Sequence, residues 1–267
     1  MNKLKKYMHI YPAMVTIIMT CLFVGALFVV KVFEPTPVPL FNWPRLMLIT
    51  VSSAAILSML KQFGWTKSVG VTSPYSSWHP KWLLCTTPLL LIALLSMTSA
   101  NWAEVQLSTQ VLIAWLFSNF ATGFFEEVLM RGMCFYILLK AWGATKKGVL
   151  LAAVFQAIVF GLAHLGNLYH MPMIDVGAQV IFATLIGIGF AGLVYFTQSL
   201  WPAIIVHTII NCAGTINDYL VPHTNELQSP GFTGYIVIIV IFLLLSTLPG
   251  LLYIKASQLH VTEQNGY

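Results

Sequence analysis

Three short patterns place ionisable and amide side chains inside long apolar stretches of this sequence. They read Gly-Phe-Phe-Glu-Glu-Val-Leu-Met-Arg-Gly, Phe-Gly-Leu-Ala-His and His-Thr-Ile-Ile-Asn, and they contribute Glu126, Glu127, Arg131, His164, His207 and Asn211. Such groups are costly within lipid, so they usually mark a site of function. The residue types suit acid–base chemistry and the stabilisation of a negatively charged oxygen.

Helical spacing predicts a different role for each of the two carboxylates. Glu127 and Arg131 are four residues apart with the acid on the N-terminal side, which favours an ion pair. Glu126 points about 100° away and is left without that partner, so we expect an unpaired carboxyl that is available as a general base. His207 and Asn211 are also four residues apart, and they could present two hydrogen-bond donors at one point, as an oxyanion hole would.

A structural interpretation exists for each pattern taken alone. A single histidine in a span is more often a helix-packing hydrogen bond, and a Glu–Arg pair can be purely structural. Two acids, an arginine, two histidines and an asparagine together are harder to explain as packing. We assign no role to the other histidines, which lie in loops or near the chain ends: His9, His79, His170, His223 and His260.

The elements that carry these patterns are predicted to be transmembrane helices. The chain has 267 residues, of which 58% are hydrophobic and 8% are charged. A soluble domain usually has about 25% charged residues, and it needs a polar shell that this composition cannot supply. The net charge of +5 lies largely in short loops, where it orients membrane proteins, so nucleic acid is not expected as a partner.

Apolar runs of about 20 residues predict an all-α, polytopic membrane fold with about eight transmembrane helices. The predicted spans run approximately over 11–32, 44–60, 81–100, 105–139, 148–165, 174–196, 200–216 and 232–254. The stretch 105–139 is too long for one straight span, so we expect a break near Gly123 or an initial helix at the outer interface. We expect a single membrane domain over residues 1–267.

The distribution of basic residues predicts the orientation of the chain. Lysines cluster on one side of the eight spans, near 3–6, 61–81 and 140–147 and at Lys255. Both termini are therefore predicted to be cytoplasmic, while Lys31 and Arg45 fall on the outer side. The depths of the three patterns along their spans allow them to meet near the membrane centre, somewhat toward the cytoplasm.

Together, the three patterns resemble the type II CAAX prenyl endopeptidases and their bacterial relatives, the CPBP (Abi) family of intramembrane proteases. That family carries Glu-Glu-x-x-x-Arg, Phe-x-x-x-His and His-x-x-x-Asn. The matching residues here are Glu126, Glu127 and Arg131, then Phe160 and His164, then His207 and Asn211. The resemblance covers about 120–213, which we expect to be the protease core.

The resemblance implies a multi-pass intramembrane endopeptidase of the cell membrane, acting on a membrane-associated peptide or protein within the lipid bilayer. It also implies roles for the matching residues: Glu126 and His164 would activate a water, His207 and Asn211 would stabilise the oxyanion, and Glu127 and Arg131, supported by Phe160, would organise the site.

A catalytic zinc ion is an alternative that the resemblance leaves open, because the family has also been described as metalloproteases. Glu126, His164 and His207 could supply the three protein ligands of such an ion, with water as the fourth. No HExxH pattern is present to support zinc. We favour a glutamate-activated water without an obligatory metal.

The biological role allows several alternatives. By resemblance, the substrate could be a peptide pheromone, a bacteriocin precursor or a membrane regulator, and the role could be bacteriocin maturation or self-immunity. A non-catalytic immunity or scaffold protein is a second hypothesis, which the retained site residues disfavour. A small transporter with a polar relay is a third, but the sequence has no internal repeat to support it.

Overall fold

The part of the chain that the structure describes is built from helices. The computed structural model describes residues 2–33, 40–72, 79–221 and 230–257. The α-helices in these ranges are α1 Asn2–Ile10, α2 Pro12–Val32, α3 Trp43–Gln62, α4 Lys81–Met97, α5 Thr109–Glu127, α6 Tyr136–Trp142, α7 Lys146–Ala163, α8 Met173–Thr197, α9 Trp201–Gly214, α10 Ile216–Leu220, α11 Gly231–Phe242 and α12 Leu248–Ala256. The π-helical segments Val128–Phe135 and Leu243–Thr247 and the 3-10 segments Trp102–Glu104 and His164–Tyr169 add to them.

The apolar helices correspond to the predicted spans. Within the described ranges, six helical stretches are long and apolar enough to cross a membrane: Pro12–Val32, Trp43–Gln62, Thr109–Trp142, Lys146–Tyr169, Met173–Thr197 and Gly231–Ala256. Two shorter apolar helices, Lys81–Met97 and Trp201–Gly214, coincide with the remaining predicted spans. The all-α polytopic membrane fold is confirmed, while the number of crossings and the orientation of the termini stay predictions.

The break expected at Gly123 is not there. Gly123 lies inside α5, where an added Cβ atom would stand 3.2 Å from Thr208 Oγ1, so this glycine lets α9 pack closely. The irregularity is instead the π-helical segment Val128–Phe135, which follows Glu127 directly. Such segments widen the helical turn locally and are frequent at functional sites.

The start of α5 also differs from the expected helix at the outer interface. The helix begins at Thr109, and Ser108 is its N-cap, with Oγ accepting from the backbone N–H of Val111 at 3.2 Å. The cap satisfies one of the N–H groups that have no partner within the helix. The residues just before it form the short 3-10 turn Trp102–Glu104 instead.

Helix α8 packs closely against α7 and α12. In the most apolar stretch of α8, 67% of the residues are buried inside the protein, against 17% in the corresponding stretch of α2. Small residues make this close packing possible: a Cβ at Gly161 would overlap Thr184, and a Cβ at Gly192 would overlap the backbone of Gly250. Helix α8 is thereby held against the helix that carries the second sequence pattern.

The loop after α3 folds back into the bundle and sets the start of α9. Gly70 has a φ of +77°, a conformation that side chains with a Cβ rarely adopt. A Cβ there would also overlap the backbone of Ser199, just before α9. Trp201 Nε1 donates to the backbone oxygen of Val71 at 3.0 Å. These contacts place the helix that carries the third sequence pattern.

Candidate active site

The structure brings all three sequence patterns to one cavity inside the bundle. The cavity has a volume of about 510 Å³. The predicted side chains on its wall are Glu126 from α5, Phe160 from α7, His164 from the segment after α7, and His207 and Asn211 from α9. Glu127 and Arg131 lie behind this wall, with both side chains completely excluded from water.

One oxygen of Glu127 is shared by two buried partners. Arg131 Nη1 donates to Oε1 at 2.8 Å, so the predicted ion pair is present. His207 Nδ1 lies 2.8 Å from the same oxygen. The carboxylate therefore neutralises a cation of its own helix and orients a histidine of α9. Removing one member would leave a buried group without its partner.

Arg131 is enclosed by two aromatic rings. Its guanidinium carbon lies 4.8 Å from the ring centre of Phe160 and 5.1 Å from that of Phe190. Phe190 also stacks on His207, with ring centroids 4.9 Å apart and planes inclined by 24°. A cation between aromatic faces is stabilised by their quadrupoles, most strongly where water is excluded. The two rings thus hold the guanidinium while limiting the movement of the imidazole.

His207 links the buried pair to the cavity. A carboxylate oxygen that already binds Arg131 can only accept a hydrogen bond, so Nδ1 of His207 carries the proton in this contact. The other ring nitrogen, Nε2, lies 3.4 Å from Oε2 of Glu126. The expectation that Glu126 has no partner is therefore wrong. Helical spacing compares residues within α5, whereas this partner comes from α9.

His164 is oriented by the helix that precedes it. Its Nδ1 lies 2.9 Å from the backbone oxygen of Phe160, and its ring meets the ring of Phe160 edge to face at 5.0 Å. A carbonyl oxygen only accepts, so Nδ1 is the donor, and Nε2 of the neutral ring has a lone pair. The half-buried imidazole on the cavity wall can therefore accept a proton from a water.

Asn211 presents its side chain to the cavity one helical turn after His207. It is half-buried, and its amide makes no hydrogen bond to the described part of the chain. The two N–H groups of this amide are consequently available as donors to a bound group. The expected pairing of the two donors is only partly realised, because His207 already contacts both glutamates.

A polar network fixes the C-terminal end of α9. Thr215 Oγ1 donates to the backbone oxygen of Asn211 at 2.8 Å. The same hydroxyl accepts from Asn119 Nδ2 at 2.9 Å and from Trp115 Nε1 at 3.1 Å, both on α5. The helix that carries Glu126 is therefore tied directly to the turn that carries Asn211.

Sequence analysis missed several residues that support the site. Gly187 accepts at its backbone oxygen from Gln156 Nε2 at 3.0 Å and from Arg131 Nη2 at 3.4 Å. Gln156 was detectable, because it is a polar residue in an apolar stretch and lies four residues before Phe160, on the same helix face. Gly187 and Phe190 carry no such signal, since α8 reads as an apolar helix with small residues.

The proposed zinc ligands do not form a three-ligand set as placed. Glu126 and His207 approach each other, but His164 is not added to them, and the described ranges contain no group of three His, Cys, Asp or Glu side chains suited to a metal ion. The bond from His207 to Glu127 is one that metal-bound histidines often make, so the donor types suit zinc while the arrangement does not.

The cavity extends from the site toward the end of the bundle that is predicted to be outer. Its wall there includes Lys31 near the end of α2, Arg45 near the start of α3 and Asn167 in the segment after α7. The depth of the site within the membrane stays a prediction. Helix α7 ends at Ala163, so His164 stands about 27 Å from the start of that helix, near its outer end.

Comparison with known proteins agrees with the resemblance read from the three patterns. Residues 108–213 match the Rce1-like family, described as type II CAAX prenyl endopeptidase Rce1-like. The matched segment runs from the N-cap of α5 to α9 and contains every residue of the three patterns. No curated protein and no solved structure matches the chain. The similarity to CAAX-type proteases is confirmed for this segment.

Proposed function

We propose that this protein is an intramembrane endopeptidase of the CAAX type that hydrolyses a membrane-associated peptide or protein at the cell membrane. The observation that carries the proposal is the convergence of Glu126, His164, His207 and Asn211 on one cavity. Two proton acceptors, a histidine oriented by a buried carboxylate and a free amide donor are the parts that hydrolysis of a peptide bond needs.

The first step is activation of a water beside Glu126 and His164. The half-buried carboxylate of Glu126 accepts the proton, and His164 Nε2 accepts a hydrogen bond from the same water. The water oxygen forms a bond to the carbonyl carbon of the substrate. The π electrons of that carbonyl move to its oxygen, which becomes an oxyanion.

The oxyanion is stabilised by donors on α9. The Asn211 amide supplies N–H groups that no described residue occupies, and His207 Nε2 donates when the ring is protonated. A protonated His207 also balances the charges, because two carboxylates would then face one guanidinium and one imidazolium.

The intermediate then collapses with transfer of the same proton. Glu126 returns the proton to the amide nitrogen as the C–N bond breaks, and a carboxylic acid and an amine leave. Glu127 and Arg131 do not touch the substrate in this scheme, and they act as positioning residues for His207. The active site is thereby restored without a covalent intermediate.

We also propose that the reaction needs no metal, because Glu126 and His164 are suited to activate a water directly. Bacteriocin maturation or self-immunity is a biological role that we propose on resemblance alone. A non-catalytic immunity or scaffold protein, or a small transporter, would use the same cavity for binding and not for hydrolysis.

Cleavage of a quenched-fluorescence peptide library by the protein in phosphatidylcholine nanodiscs tests the proposal. Wild type is compared with Glu126→Gln, His164→Ala and the control Glu104→Gln, which changes an exposed acid away from the cavity. We expect wild type and the control to cleave, and both site variants to lose activity. Equal cleavage by Glu126→Gln would refute the assigned base.

Addition of a chelator to the same assay distinguishes the metal-independent mechanism from the metal-dependent one. Retained activity supports the direct mechanism, whereas activity that is lost and then restored by added zinc supports the metal alternative. No cleavage by wild type across the library would favour the non-catalytic alternative.

A further inference from the structure

The end of the bundle that is predicted to be cytoplasmic carries positive charge without acids to balance it. The lysines at this end are Lys3, Lys5, Lys6, Lys61, Lys67, Lys81, Lys140, Lys146, Lys147 and Lys255. The acids of the described ranges all lie elsewhere, at Glu104, Glu126, Glu127, Asp175 and Asp218. A diffuse excess of this kind orients a membrane protein and needs no bound ligand. A specific anion site therefore requires lysines that the fold places together.

Three of these lysines are half-buried, and they differ in their hydrogen bonds. Lys146 Nζ donates to three backbone oxygens at and after the end of α12, which uses all three of its N–H groups. Lys5 Nζ makes one such bond, to the backbone oxygen of Phe63 at 3.0 Å. Lys140 Nζ makes none with the described part of the chain. Lys5 and Lys140 thus keep donors that are available to an anion.

Lys5 and Lys140 lie side by side on a layer of aromatic rings. Lys5 Nζ is 5.9 Å from the ring centre of Trp65, and Lys140 Nζ is 5.9 Å from that of Tyr136. These two rings meet edge to face with centroids 5.1 Å apart, and Phe63 packs on Trp65 at 4.9 Å. All three aromatic residues are buried. A rigid layer of rings therefore positions both ammonium groups through their aromatic faces.

The two ammonium groups are close enough to repel each other. Neither forms an ion pair with a described residue, so no carboxylate of these ranges offsets the repulsion. An anion between them would replace this repulsion with two attractions, which are strengthened where the rings exclude water. Phosphate is the anion that lysine commonly binds in this way, as a point charge.

Helix α1 indicates that the phosphate belongs to a lipid. The helix packs against α6 and buries Met8 in the bundle. Leu4, Tyr7 and Tyr11 are spaced three and four residues apart, so they share one face, and all three are exposed. The three lysines of the helix lie outside that face. A helix with an exposed apolar face and a basic polar face lies in the membrane interface, where lipid headgroups are found.

We propose that Lys5 and Lys140, held on the rings of Trp65 and Tyr136, bind the phosphate of one anionic phospholipid. The exposed apolar face of α1 would lie beside the acyl chains of this lipid. Basic pockets between helices on the cytoplasmic side of a membrane are suited to such headgroups. The site shares no residue with the proposed active site and does not depend on hydrolysis.

Competition between two lipids measures the preference directly. The full-length protein in neutral detergent is mixed with equal amounts of phosphatidylglycerol and phosphatidylcholine that have the same acyl chains, and native mass spectrometry counts the bound molecules. We expect the first bound lipid to be phosphatidylglycerol in about tenfold excess, since each lysine near the headgroup favours the anionic lipid. Equal occupancy by the two lipids in the wild type would overturn the site.

Substitutions distinguish the pair from the general positive charge of this end. Lys5→Gln with Lys140→Gln should bring the ratio close to one, whereas Lys5→Arg with Lys140→Arg keeps both charges and should retain most of the preference. The matched control, Lys147→Gln with Lys255→Gln, removes two exposed lysines from the same end and should keep the full ratio. An equal decrease in the control would mean that only net charge attracts the lipid, and the specific site would be wrong.

Two further measurements keep the result interpretable. The unfolding temperature in neutral detergent without added lipid shows whether each variant is folded, and Lys140→Gln alone, which removes no hydrogen bond of the described chain, should still lower the ratio. Millimolar inorganic phosphate should leave most of the preference in place. Complete loss of the preference in phosphate would assign the two lysines to a soluble anion and contradict the lipid site.

Discussion

The candidate site has a buried side and a cavity side that differ in their access to water. Glu127 and Arg131 have completely buried side chains, whereas Glu126 keeps 24% of its side-chain exposure. His164 and Asn211 are also half-buried on the cavity wall. Charges on the buried side must be balanced by one another, and those on the cavity side remain available to water and substrate.

The two adjacent glutamates, Glu126 and Glu127, show this difference in access to water most clearly. They are consecutive in the sequence, yet one faces an arginine in the protein interior and the other faces the cavity. His207 contacts both of them, through Nδ1 on the buried side and Nε2 on the cavity side. Substitutions on the buried side should therefore affect folding, and those on the cavity side should affect turnover alone.

The largest effect is expected for Arg131→Ala. The variant leaves the carboxylate of Glu127 buried without its cation, and it removes the group that fills the space between Phe160 and Phe190. We expect a loss of about 3–5 kcal/mol in the free energy of unfolding, with activity lost as well. Thermal and denaturant unfolding in detergent measures the change.

The matched control removes both charges at once. The double variant Glu127→Gln with Arg131→Met should recover much of the lost stability, because no uncompensated charge remains. Its activity should stay low, since His207 is no longer oriented by a carboxylate. If Arg131→Ala alone were as stable as wild type, water would have to reach the carboxylate of Glu127, which would contradict the burial of this side.

Glu126→Gln should have a large effect on turnover with little effect on folding. Removal of a general base lowers kcat by about 10²–10⁴-fold, while substitution at this half-buried position on the cavity wall should change stability by no more than about 0.5 kcal/mol. Parallel kinetic and unfolding measurements against Glu104→Gln check this expectation. Destabilisation comparable to that of Arg131→Ala would place Glu126 on the buried side.

Asn211→Ala tests the donor on the cavity side. Loss of one oxyanion donor should lower kcat by about 10²–10³-fold with little change in KM, because the donor acts mainly on the charge that develops during the reaction. Asn101→Ala, at an exposed position before the 3-10 turn, is the matched control. An increase in KM with unchanged kcat would assign Asn211 to substrate binding instead.

Thr215→Val should have the smallest effect of the set. The change removes the hydroxyl that joins Asn119 and Trp115 to the backbone of Asn211. We expect a loss of about 1 kcal/mol in stability and a decrease in kcat of about tenfold, through displacement of the Asn211 amide. Thr215→Ser keeps the hydroxyl and should retain both properties, and equal losses in the two variants would contradict this role.

Much of this organisation is already present in the order of residues along the chain. The apolar stretches predicted eight helices, because the length needed to cross a bilayer and the absence of charge are properties of each segment alone. The pair Glu127–Arg131 followed from helical spacing, which is equally local. The three patterns also carried the resemblance that the match over residues 108–213 confirms. The assigned roles of the residues stay predictions.

Contacts between helices could be identified only from the three-dimensional structure. The approach of His207 to both glutamates, the enclosure of Arg131 by Phe160 and Phe190, and the extension of the cavity toward Lys31 depend on the rotation and depth of each helix. Those two parameters come from how side chains of neighbouring helices interlock, and a lipid environment imposes no strong preference on them. The position of the π-helical segment was also apparent only in the structure: it follows Glu127, whereas Gly123 lies within α5 and packs against Thr208 of α9.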